Sequence, residues 1–148
     1  MNRLHKSIWA GAALLALPVP AFAQDLCAGL RRIEAAAREP VSFASLEGLR
    51  EEILPGFRLG CRVSQAYRDQ PRAFICSRTQ FAPASLIAST FGPAVRDCLG
   101  AEATPPVPYR STLGYRTADV EIELSSHCDD RCHVGRSATL IARRREPR

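Results

Sequence analysis

Lysine, asparagine, methionine and tryptophan are almost missing from this chain. Each occurs once, as Lys6, Asn2, Met1 and Trp9, all within the first nine residues. Also missing are the short motifs that announce a catalytic apparatus. There is no HExxH to hold a catalytic zinc, no P-loop or GxGxxG to cradle phosphates, and no G-x-S-x-G to present a nucleophilic serine. No long apolar run follows the N-terminal one, so no transmembrane segment is expected beyond it. No internal repeat and no low-complexity tract breaks the chain.

The N-terminal run reads as an export signal. Arg3, His5 and Lys6 form a basic start, and Ser7–Leu17 is apolar but too short to span a bilayer. Pro18 and Pro20 interrupt it, and Ala21-Phe22-Ala23 has the small-x-small form that precedes cleavage. The expected organisation is a signal at 1–23, one globular domain at 24–142 and a basic tail at 143–148. The expected location is the periplasm or the medium outside the cell.

The 148 residues carry 20 Lys+Arg against 15 Asp+Glu, a formal net charge of +5. Arg3 and Lys6 belong to the signal, and Arg143, Arg144, Arg145 and Arg148 outweigh Glu146 at the end. The body between is electrically balanced. A nucleic-acid binder shows a basic stripe on its folded domain, and this pattern does not predict one. The terminal arginines read as a solvated end.

Six cysteines lie beyond the signal: Cys27, Cys61, Cys76, Cys98, Cys128 and Cys132. An even number in a small exported domain points to disulfides. The centre of the chain is FRLGCRVSQAYRDQPRAFICS, residues 57–77. Phe57, Leu59, Cys61 and Val63 alternate with Arg58, Gly60 and Arg62, the period of a strand with one apolar face. Arg72–Ser77 reads as the return strand, and Cys61 and Cys76 are equally distant from an Arg68–Asp69 turn. The favoured pairing is Cys61–Cys76, Cys27–Cys98 and Cys128–Cys132. The rival set joins Cys27 to Cys61 and Cys76 to Cys98.

Asp25 is read as the N-cap of a helix over Leu26–Arg38, with Leu26, Leu30, Ile33 and Ala37 on its buried face and Cys27 at the edge. Val41–Pro55 is a short helix or turn. Pro83 opens a second helix, Ala84–Leu99, with Ile87, Phe91, Ala94, Val95 and Cys98 as its stripe and a kink at Pro93. Ala101–Tyr109 is a proline-rich connector. Thr117–Leu124 and Ser137–Ala142 are strands, Val120, Ile122 and Leu124 facing one way and Asp119, Glu121 and Glu123 the other. The order α-β-β-α-β-β predicts a small two-layer α+β domain, two helices on one face of an antiparallel sheet of about four strands. Arginines of the first hairpin would meet the acids of Thr117–Leu124 on the other face.

Chemistry is concentrated in one place, His127-Cys128-Asp129-Asp130-Arg131-Cys132-His133. One reading is a Cys128–Cys132 disulfide pinching a hairpin tip. A second is a metal site of His127, Cys128, Cys132 and His133, with Asp129 or Asp130 as a substitute ligand. A third is a small hydrolase with His127 or His133 as base, oriented by Asp129 or Asp130. Elsewhere, Glu51 and Glu52 are an adjacent carboxylate pair, and Tyr67, Arg68 and Arg72 sit at the first hairpin's tip, where Tyr and Arg suit an interaction surface. The expected function is a non-enzymatic binding module without a cofactor. Its partner would be another protein or an envelope component.

Overall fold

A computed structural model describes residues 21–57, 60–79, 90–105, 112–128 and 136–146. In chain order they form α1 (Ala21–Ala37), a 3-10 turn (Ala44–Leu46), β1 (Cys61–Ser64), β2 (Ala73–Thr79), α2 (Gly92–Leu99), β3 (Glu102–Ala103), β4 (Thr112–Arg116), β5 (Val120–Cys128) and β6 (Arg136–Arg144). The strands build one six-stranded antiparallel sheet in the order β1-β2-β6-β5-β4-β3, on which the two helices pack. The class is α+β and disulfide-stabilised, as expected, but the described residues form six strands rather than about four. The additional pair is β3 and β4. Two-residue β3 is too short to show a period, and β4 is weakened by Gly114 at its centre.

The alternation that defines each strand sorts its side chains between two faces. Phe74, Cys76, Val120, Ile122, Leu124, Ala138, Leu140 and Ala142 are all buried on the helix side. α1 contributes Leu26, Leu30, Ile33, Ala36 and Ala37, and the segment after it adds Phe43, Leu46, Ile53, Leu54 and Phe57. Burying one Val, Leu, Ile or Phe side chain stabilises by about 1.5–3 kcal/mol, so this single cluster is the main source of cohesion.

α1 starts earlier than its sequence suggests. In the full chain the apolar Ala21-Phe22-Ala23 continues the helix backwards, so Asp25 lies within α1 and is not its N-cap. The helix ends where expected. Arg38 and Glu39 N–H groups reach back to the Ala35 and Ala36 carbonyls, Phe43 N–H adds a second bond to Ala36, and Pro40 prevents continuation. In α2, Pro93 sits in the first turn, where a missing N–H costs nothing, directly after a π turn at residues 90–91; the expected kink depends on the residues before that turn. Residues 80–89, which the expected second helix included, lie outside the described residues. Gly100 closes α2 with φ 62°, the left-handed cap that glycine accepts most easily.

Gly29 has a different role. It lies on the buried side of α1, where the Ile53–Leu54 backbone crosses so closely that a Cβ would run into the Ile53 carbonyl oxygen. Gly29→Ala is therefore expected to destabilise the fold by about 2 kcal/mol, overpacking outweighing the better helix propensity of alanine. The denaturant midpoint measures this, and an unchanged or higher midpoint would show that the 53–54 backbone does not rest on α1.

The other sheet face is charged, but its pairing differs from expectation. β6 lies between β2 and β5, so the hairpin arginines do not border the acids of β5. The acids instead meet arginines of β4 and β6. The register row Arg143, Glu121, Arg116, Glu102 alternates in sign across four strands. Arg143 Nη1 lies 3.3 Å from Glu123 Oε2 and Arg116 Nη2 3.4 Å from Glu102 Oε2. Such cross-strand neighbours hold register more than they add bulk stability. Among the described residues no helix is long and apolar enough to cross a membrane.

Candidate functional site

Two disulfides cross-link the described residues, one within the sheet and one between the helices. Cys61 and Cys76 are direct register partners on β1 and β2, and Cys27 of α1 is bonded to Cys98 of α2. The hairpin register follows from its turn. Arg68 and Asp69 form a two-residue turn, which makes 61 and 76 opposite positions, and Arg68 takes the positive φ of 51° that such turns demand.

That turn is the most prominent feature of one end of the sheet. Tyr67 and Gln70 exchange backbone hydrogen bonds, Tyr67 N–H to Gln70 O at 3.1 Å and Gln70 N–H to Tyr67 O at 3.0 Å. Tyr67 is 67% exposed, and the Arg68 guanidinium lies over its ring, 5.2 Å from the centroid. The pair is a cation–π contact presented to solvent.

Arg72 does not share this exposure. Its Nε donates to the Ser42 carbonyl at 2.7 Å, its Nη2 to Glu47 at 2.7 Å and its Nη1 to Gln65. Gln65 in turn donates to the other Glu47 oxygen at 2.7 Å. Arg72 thus holds the base of the hairpin against the segment after α1. Tyr67 and Arg68 form the tip, and Arg72 supports it. Val41, next to the Ser42 that Arg72 grips, is 57% exposed. Close by, the Glu39 carboxylate accepts the Ser45 N–H at 2.9 Å, and hydrogen bonding by Ser45 lowers its pKa.

The same end carries the finish of β6 and the start of β5, since Ala73 opposes Arg143 and Val120 opposes Arg144. Arg143, Arg144 and Arg145, read as part of a solvated basic tail, belong to the fold here. β6 runs through Arg144, which donates to the Glu39 carbonyl at 3.2 Å. Arg145 is held by its backbone N–H on Asp119 O and by its Nη1 on Thr117 O, at 2.9 and 2.8 Å. A charge run does not reveal that its alternate members have partners across a strand. Arg38, Asp119, Arg144 and Arg145 line a pocket of about 210 Å³ at this corner.

Glu51 and Glu52 do not act as a pair. Glu51 bridges to Arg32 of α1, while Glu52 Oε1 accepts the Gly56 N–H at 2.6 Å. They border, with Asp25, an open groove of about 350 Å³ beside α1.

His127 and Cys128 are the last two positions of β5, in register with Ser137 and Arg136, at the opposite end of the sheet from Tyr67. Cys132, His133, Asp129 and Asp130 lie outside the described residues, and with them the Cys128–Cys132 disulfide and the metal and hydrolase readings. Compared with models of protein families, with curated proteins and with solved structures, the chain has no match.

Proposed function

We propose that this chain is an exported, disulfide-cross-linked binding module that engages another protein or an envelope component through the Tyr67 end of its sheet. The observation that carries this reading is the tip itself. A tyrosine two-thirds exposed, covered on one side by an arginine and fixed by reciprocal backbone bonds, is ordered before any partner arrives. Preorganisation of this kind lowers the entropy cost of association, and Tyr and Arg are the residues that most often dominate a binding interface. The bonds of Arg72 to Ser42, Glu47 and Gln65 keep the base of the hairpin rigid. Two disulfides fit an oxidising compartment, which supports export.

The test is site-specific photo-crosslinking in an envelope extract of the source cells. A photoreactive residue at position 67 is expected to give a discrete adduct that Arg68→Ala weakens. A residue at position 96, on exposed Arg96 of α2, is expected to give none. The absence of an adduct from position 67, or identical adducts from both positions, would overturn the proposal.

A further inference from the structure

We infer that the pocket between the end of α1, the β4–β5 turn and the end of β6 binds a phosphate group. Three arginines from two parts of the chain line this hollow: Arg38 just after α1, and the neighbours Arg144, at the end of β6, and Arg145. One carboxylate, Asp119, lines it with them, so the lining carries two uncompensated positive charges. Asp119 Oδ2 is 3.7 Å from Arg38 Nε, an ion pair without hydrogen-bond contact, and both side chains are well exposed. The Glu39 carboxylate is committed to Ser45.

Arginines near a helix C-terminus have a structural role, because they satisfy its last carbonyls and complement its dipole. That role explains one hydrogen bond from Arg144, to Glu39 O, as the Thr117 carbonyl explains one from Arg145. It does not explain a hollow left open among three like charges. A guanidinium offers five N–H donors, and each of these three spends at most one on the described protein. Two uncompensated positive charges match the charge of a phosphate, about −1.5 to −2, better than the single charge of a carboxylate. The volume, about 210 Å³, is below the roughly 300–1,000 Å³ of a cavity that encloses a whole drug-sized ligand. It matches a phosphate group whose remainder stays outside, either free inorganic phosphate or the headgroup of a lipid. This goes beyond the binding-module reading, which stands on Tyr67 and would survive loss of the pocket.

The experiment titrates the full chain with inorganic phosphate at constant ionic strength, followed by calorimetry and by backbone amide shifts at residues 38, 118, 119, 144 and 145. A parallel arm uses phosphatidylglycerol vesicles. Arg38→Gln and Asp119→Asn are the informative variants, because the only described side-chain contact of either is the loose pair they make together. Arg38→Gln is expected to weaken binding about tenfold, the size of one charge-assisted hydrogen bond. Asp119→Asn is expected to tighten it by removing the competing anion. This pattern with free phosphate identifies a soluble anion, and the same pattern with vesicles alone identifies a headgroup. Binding in neither arm, or binding that neither variant changes, would overturn the inference.

Discussion

Replacing Cys27 and Cys98 together by alanine is expected to remove about 4 kcal/mol of stability, out of a total of roughly 5–15 kcal/mol for a domain of this kind. The bond closes a sequence separation of 71, against 15 for Cys61–Cys76. In the chain-entropy account the longer loop restrains the unfolded chain more, about 4 kcal/mol against about 3. The native state argues in the same direction. Cys61 and Cys76 are already opposed in a ladder that persists without their bond. Among the described residues α2 has eight, fewer than the roughly 12–15 at which an isolated helix becomes marginally stable. It is anchored by Phe91 and Val95 in the core, by Arg31 Nε on the Cys98 carbonyl at 3.4 Å, and by the disulfide. Losing the bond therefore removes α2's covalent anchor as well as the restraint on the unfolded chain. Urea denaturation of the two double-alanine variants reads the stabilities, and amide exchange reads where the loss falls. The Cys27/Cys98 variant is expected to show the larger fall in midpoint and fast exchange at 92–99. A fall of less than about 1 kcal/mol, or protection of α2 equal to wild type, would show that packing alone holds the helix.

The first hairpin was legible because its information is local. Two turn residues set the register, and alternating apolar positions set the face, so Cys61 opposite Cys76 needed no knowledge of the rest of the molecule. α1 was legible for the same reason, in the spacing of Leu26, Leu30, Ile33 and Ala37. What the residues did not show was long-range. β6 lies between β2 and β5, yet more than fifty residues separate it from β2, and no local pattern records that choice of neighbour. Charge misled for the same cause. Arg143, Arg144 and Arg145 are alike in sequence, but strand geometry sends Arg143 to Glu123 and Arg144 to the end of α1, while Arg145 closes the β4–β5 turn. The tip was visible as Tyr67 and Arg68, while Arg72 owes its different role to Glu47 and Ser42, which are distant in the chain.

Phe74→Ala is expected to cost about 4 kcal/mol, at the level of the disulfide. Phe74 is fully buried at the point where β2 meets both β1 and β6, opposite Val63 and Ala142. Truncating a buried phenylalanine costs about 3–5 kcal/mol through lost transfer energy and the cavity left behind. This site should not collapse to relieve that cavity, because two strands fix its flanks. A second effect adds to the first. The Phe74 ring stacks on Phe43, with centroids 6.3 Å apart, and Phe43 holds a left-handed backbone of φ 64° that a bulky side chain rarely adopts. Such a conformation costs about 1–3 kcal/mol and persists only where the surroundings impose it. Burial of the Phe43 ring against Phe74 is one such constraint, so removing Phe74 weakens the hold on residues 42–47, and with it the Arg72 bonds at the base of the tip. Phe74→Leu keeps most of the volume and is expected to lose about 1–2 kcal/mol. Denaturant midpoints rank the two variants. A double-mutant cycle with Phe43→Leu is expected to give a coupling of about 1 kcal/mol between the rings. Additive losses would mean that Phe43 keeps its conformation independently of Phe74, and an alanine cost under about 1.5 kcal/mol would remove Phe74 from the centre of the core.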